Sequence, residues 1–169
     1  MPVSLDDLNQ MTQDAFVDTL GDVFEHTPAI ARHAWEQRPF ASVAALHHTM
    51  VAIAQQQPAA AQLALIRAHP DLGSKTKMAD ASVQEQAGVG LDRLNPEDYD
   101  RFQQLNQAYT EKFGFPFIVA VKEHTKESIL QSFEQRLHHS PEAEQQTALA
   151  EIAKIAGYRL RSLIADSDC

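Results

Sequence analysis

Of the eight histidines in this 169-residue chain, His69 stands where an imidazole can do the most chemistry. It ends an apolar, helix-like run and is followed by Pro70 and Asp71. A proline removes an N–H and crowds the turn before it, so the helix must stop here. The negative end of a helix favours a protonated imidazole, and a nearby carboxylate adds to that preference. An imidazolium held near neutral pH is an effective general acid. The plainer alternative is a histidine that only caps its helix.

A second cluster is Ser82-Val83-Gln84-Glu85-Gln86. Ser82 and Glu85 have the spacing of a capping box, which predicts a helix opening at Ser82. The first turn of a helix presents unpartnered N–H groups, suited to an anionic or carbonyl oxygen. Glu85 can orient or charge an imidazole, and Gln86 can read an amide edge. A capping box with no further role is the competing reading. Near the C-terminus, Arg159 and Arg161 interrupt an apolar helix, and an arginine can grip a carboxylate through two parallel hydrogen bonds. On a helical wheel Arg159 falls beside Ile152, Ala156 and Leu163, with Arg161 on the opposite side. A cation at that apolar edge needs an anionic partner, which Glu85 or a substrate would supply.

Other chemistry is poorly supported. His47-His48 and His138-His139 are adjacent pairs, so each points in two directions and lacks the i, i+4 spacing of a helical metal site; no metal is expected. There is no phosphate-binding glycine loop and no GxSxG. The only cysteine, Cys169, is the last residue. It cannot form an internal disulfide or a cysteine-based zinc site, and a frayed terminus suits a nucleophile badly.

The elements that must position these residues read as helices. Ser4, Thr12, Ser42 and Thr125 are N-cap candidates, and Pro28, Pro58, Pro96 and Pro141 suit first turns. Apolar stripes follow each, such as Phe16, Leu20, Val23 and Phe24, or Val43, Leu46, Met50 and Ile53. The helix that begins at Ser82 is expected to end at Gly88 and Gly90, and one from Pro96 to end at Gly114. Residues 70–81 read as a loop. Phe113–Val121, FGFPFIVAV, is short and β-branched with no second strand to pair with, so it is expected as an extended or single-turn buried segment. With no repeat or linker, the expectation is an all-α fold: one compact bundle of about eight to nine helices spanning residues 1–169.

Lys+Arg 14 against Asp+Glu 23 leaves a net charge of −9, which argues against a nucleic-acid binder. No apolar run reaches bilayer length, and the N-terminus lacks the basic start and apolar run of a signal peptide, so no membrane partner and a cytoplasmic location are expected.

Four stretches resemble the OHCU decarboxylase family, the 2-oxo-4-hydroxy-4-carboxy-5-ureidoimidazoline decarboxylases: HPDLGSK (His69–Lys75), SVQEQAGVGLDRL (Ser82–Leu94), LNQAYTEKFGFPFIVAVKEHTKESIL (Leu105–Leu130) and EIAKIAGYRLRSL (Glu151–Leu163). They cover the chain in the family's order, and FGFPFI is the most specific. The family loop usually reads HPDLAGK where this chain has HPDLGSK. The resemblance implies an all-helical fold, cofactor-free decarboxylation of a small ureidoimidazoline to (S)-allantoin, and a homodimer. It places the catalytic residues at His69 and Glu85. Substrate contacts would come from Pro70, Ser82, Val83, Gln84, Glu85, Gln86, the backbone of Phe117, Ile118, Val119, Ala120 and Val121, and Arg159. His69 and Glu85 are then expected within hydrogen-bonding reach at one pocket. The competing classes are a non-catalytic helical interaction module and a ureide hydrolase; the hydrolase would need an activated water, and metal-ligand spacing for one is absent.

Overall fold

The computed structural model describes residues 2–73 and 80–165. The expectations for positions 74–79 and for Cys169 lie outside them. Among the described residues the chain is all-α, with nine α-helices and one 3₁₀ turn (η1), and its single β-bridge joins Val3 to Ile164. The chain divides into two compact units, residues 1–65 with 153–169 and residues 66–152.

The first unit holds α1 (Leu5–Gln10), α2 (Gln13–Leu20), α3 (Pro28–Trp35), α4 (Val43–Gln55), most of α5 (Ala59–Arg67) and the end of α9 (Pro141–Leu163). The predicted caps are present: Ser4, Thr12 and Ser42 each accept an N–H from the first turn that follows. Helices α2, α3 and α4 pack in succession, burying Phe16, Leu20, Ile30, Leu46 and Met50. Helix α2 ends at Leu20, earlier than its apolar pattern; Val23 and Phe24 are nevertheless buried, from the turns that follow.

The second unit holds α6 (Asp80–Ala87), α7 (Pro96–Phe113), η1 (Val121–Glu123), α8 (Lys126–Arg136) and the first part of α9. Helix α7 opens on an Asn95 cap and Pro96, and closes on Gly114 at φ 80°. Residues 115–120 form neither helix nor strand, with Ala120 extended and all but the half-buried Pro116 buried, in line with the expected buried segment outside any sheet. An aromatic cluster anchors it: Phe117 stacks on Phe133 of α8 at 3.8 Å between centroids, and Tyr109 of α7 meets Phe117 edge-on at 5.3 Å.

One boundary differs. Helix α6 begins at Asp80, two residues before the predicted Ser82 cap, so Ser82 lies inside the first turn rather than ahead of it.

Candidate active site

His69 is buried just past the end of α5, and its N–H donates to Ile66 O at 3.2 Å in a tight final turn. Pro70 and Asp71 are half-buried and Leu72 is buried. The His69–Gly73 turn is fixed from two directions. Asn106 Nδ2 of α7 donates to Leu72 O at 2.8 Å, and Gly73 N donates to Gln86 Oε1 of α6 at 3.0 Å. Gly73 has φ +69°, a backbone conformation that favours glycine; a Cβ there would lie 2.9 Å from Leu94 Cδ1, the movable end of a side chain, so the backbone sets the requirement. The second hydrogen bond joins the histidine-bearing turn directly to the Ser82–Gln86 helix. Those are the two helix ends that the sequence singles out.

On α6, Ser82 and Gln86 are buried, Glu85 is half-buried, and Val83 and Gln84 are exposed. Gln86 Oε1 is engaged by Gly73 N, and its amide also carries an Nε2 donor. Helix α6 also packs against η1, which brings the end of the buried 115–120 segment to the same helix.

The side chains of Phe117, Ile118, Val119, Ala120 and Val121 are all buried, so this stretch can meet a ligand only through its backbone. Ile118 O accepts from Arg136 Nη1 at 2.6 Å, and Ala120 N donates to Glu151 Oε1 at 3.1 Å. Ala120 O accepts from Glu123 N at 3.0 Å. The N–H and C=O of Val119, and the N–H of Ile118, have no hydrogen-bond partner among the described residues. A buried peptide group left unpaired costs about 1–3 kcal/mol, so such a cluster calls for a reason.

Arg159 lies in the first unit, 5% exposed, and Arg161 is exposed with its guanidinium over the Tyr158 ring. The helical wheel thus separates the two arginines correctly, and Arg159 has partners within the first unit. Arg159 Nη1 donates to Asp22 O at 3.0 Å, and Nη2 stands 3.5 Å from the fully buried Glu25 Oε1. Glu25 was not legible as a partner, because it follows α2 in an irregular turn with no periodicity to mark it. Among the remaining histidines, His47 Nε2 meets Ala153 O at 2.7 Å and His139 Nδ1 meets Glu144 Oε2 at 2.9 Å. Among the described residues no group of three His, Cys, Asp or Glu is arranged to hold a metal ion. A groove of about 680 Å³ opens near Gly88, Arg93, His124 and Lys126, and includes none of the predicted site residues.

Burial pushes the Asp71 carboxyl above its ordinary value. The side chain has no partner among the described residues. Folding therefore strengthens proton binding relative to the unfolded value of 3.8. The resulting penalty is absent in acid and sets in as pH rises through the carboxylate range. Asp71→Asn is expected to raise Tm at pH 7, with the gain vanishing below about pH 4. A lower Tm at pH 7 would mean that the carboxylate is stabilised by a partner.

The fold is thus an all-α one in which a buried histidine follows a helix end and its turn is tied by one hydrogen bond to the helix that carries Glu85. The sequence model of the family described as OHCU decarboxylase matches residues 9–161, and the chain belongs to that family. It is 46% identical over 166 residues to a 2-oxo-4-hydroxy-4-carboxy-5-ureidoimidazoline decarboxylase of Halalkalicoccus jeotgali, covering 98% of this chain and 94% of that one. It is 45% identical over 163 residues to the uric acid degradation bifunctional protein PucL of Bacillus subtilis, covering 96% of this chain and 33% of that protein. A crystal structure of (S)-allantoin synthase matches with a TM-score of 0.81 at 30% identity, over 99% of this chain and 56% of the other.

Proposed function

We propose that this protein decarboxylates 2-oxo-4-hydroxy-4-carboxy-5-ureidoimidazoline (OHCU) to (S)-allantoin, the last step in converting urate to allantoin. The observation that carries the proposal is the 46% identity, over nearly the full length of both chains, to a decarboxylase named for that substrate. The family match runs through both units, which supports reading the chain as one functional domain.

The substrate's chemistry sets what the protein must do. Its carboxylate sits on a carbon next to a ring C=N bond. As the carbon–carboxylate bond breaks, its electron pair moves into that imine and CO₂ departs, leaving an enaminol once the imine nitrogen takes a proton. A proton delivered to one face of the ureido-bearing carbon, with the hydroxyl proton lost as its oxygen becomes the ring carbonyl, completes (S)-allantoin. His69 is the proton donor, and Glu85 orients its imidazole and favours its charged form; an acid in this position contributes about 10²–10⁴-fold. Gln86 Nε2 and the unpaired backbone of Ile118 and Val119 are hydrogen-bonding partners for the ureido and ring amides, which gives those buried groups their reason. Pro70 and the α6 residues Ser82, Val83 and Gln84 complete the substrate contacts, and Arg159 binds the carboxylate or a ring carbonyl.

No helix of the described residues is long and apolar enough to cross a membrane. The family resemblance is what supports a cytoplasmic enzyme that works as a homodimer. A non-catalytic interaction module gives no reason for joining the histidine turn to the Glu-Gln helix. Freshly generated OHCU decays on its own, so the test is rate: the protein is expected to speed its loss, with one CO₂ released per molecule consumed. Loss at the rate seen in buffer alone would contradict the proposal.

A further inference from the structure

The segment of residues 115–120 has no neighbouring strand, yet backbone that is to read a planar substrate must be held still. Two buried side chains of opposite charge supply what a sheet would. Arg136, the last residue of α8, donates to Ile118 O, and Glu151 of α9 accepts from Ala120 N. They grip the peptide groups on either side of Val119.

The arginine is itself braced. Its Nε donates to Glu144 Oε1 at 2.7 Å, and its guanidinium lies over the Phe117 ring at 4.3 Å. Glu144 is fully buried and also accepts from Tyr109 OH at 2.5 Å and faces His139 Nδ1. Burial, reinforced by the hydrogen bond to Glu144, holds the Tyr109 phenol well above its ordinary pKa, so it stays a donor. A planar guanidinium can serve carboxylate, carbonyl and ring at once, whereas an ammonium cannot.

We propose that Arg136 and Glu151 are positioning residues that hold the Ile118 and Ala120 peptide groups, and thereby aim the unpaired Val119 backbone at the substrate. This rests on the reading of Phe117–Val121 as substrate-lining backbone. Neither residue touches the reacting atoms. Their loss is therefore felt in substrate binding rather than in proton delivery by His69.

Steady-state kinetics with OHCU on three variants tests it, with Tm measured alongside. Arg136→Lys keeps a charge beside Glu144 but cannot also span to the Ile118 carbonyl; it is expected to raise KM about tenfold with kcat changed less than about threefold. Glu151→Ala, which breaks the other grip without touching the Arg136–Glu144 pair, is expected to do the same. Glu151→Gln retains a carbonyl oxygen for the Ala120 N–H and is expected to keep KM within about threefold of wild type. A wild type that turns over OHCU while Arg136→Lys and Glu151→Ala leave KM unchanged overturns the proposal alone. So does a fall in kcat at constant KM, or a Glu151→Gln variant as impaired as Glu151→Ala. A wild type that does not turn over OHCU overturns the functional reading and this proposal with it.

Discussion

Replacing His69 with glutamine is expected to lower kcat by about 10²–10⁴-fold, the contribution of a positioned acid, while leaving the fold intact. Glutamine is polar and of similar length, so the buried position keeps a hydrogen-bonding side chain. Loss of a cation at the end of α5 costs about 0.3–1 kcal/mol. Gln86 and Asn106 still hold the turn in the variant, through the Gly73 N–H and the Leu72 carbonyl. Stopped-flow turnover and a thermal melt on the same preparation separate the two effects. Near wild-type turnover would reduce His69 to a helix cap.

At the C-terminal helix, Arg159→Ala is expected to lower kcat/KM at least tenfold, about 1.4 kcal/mol, and Arg161→Ala to change little. The structure adds a second consequence. Truncating Arg159 leaves the buried Glu25 carboxylate without the guanidinium 3.5 Å away, and breaking a buried pair costs about 3–5 kcal/mol. Arg159→Ala should therefore melt well below wild type, and its kinetics belong at a temperature where it is folded. Arg159→Ala, Glu25→Gln removes the orphaned charge; it should recover Tm without recovering kcat/KM. If the double variant regains both, Arg159 is a fold residue only. A larger kinetic loss for Arg161→Ala would mean that the substrate-binding arginine was misassigned.

Much of this site is legible from local rules. The stop at His69-Pro70, the cap residues and the isolation of FGFPFIVAV follow from proline chemistry, N-cap preference and the lack of a second strand. The start of α6 at Asp80 is two residues ahead of the Ser82–Glu85 pattern, because a capping-box spacing can also occur inside a first turn. What the sequence hides is partnership. Arg136 and Glu144 straddle the turn between α8 and α9, while Glu151 meets Ala120 across 31 positions. Periodicity identifies the face on which a residue lies, not the group that it will meet. A trace was present all the same. Glu144 and Glu151 occupy the stripe of Ala148, Ile152 and Ile155, and carboxylates at core positions need buried partners. Glu25 carried no such mark.

Delivery of the proton to one face of the enaminol is reported directly by the chirality of the product. Spontaneous decay of OHCU gives racemic allantoin. Circular dichroism of the allantoin formed from fresh OHCU with the protein present should show an excess of the S enantiomer that grows with enzyme concentration and is lost in His69→Gln. Racemic product at every enzyme concentration would contradict the account.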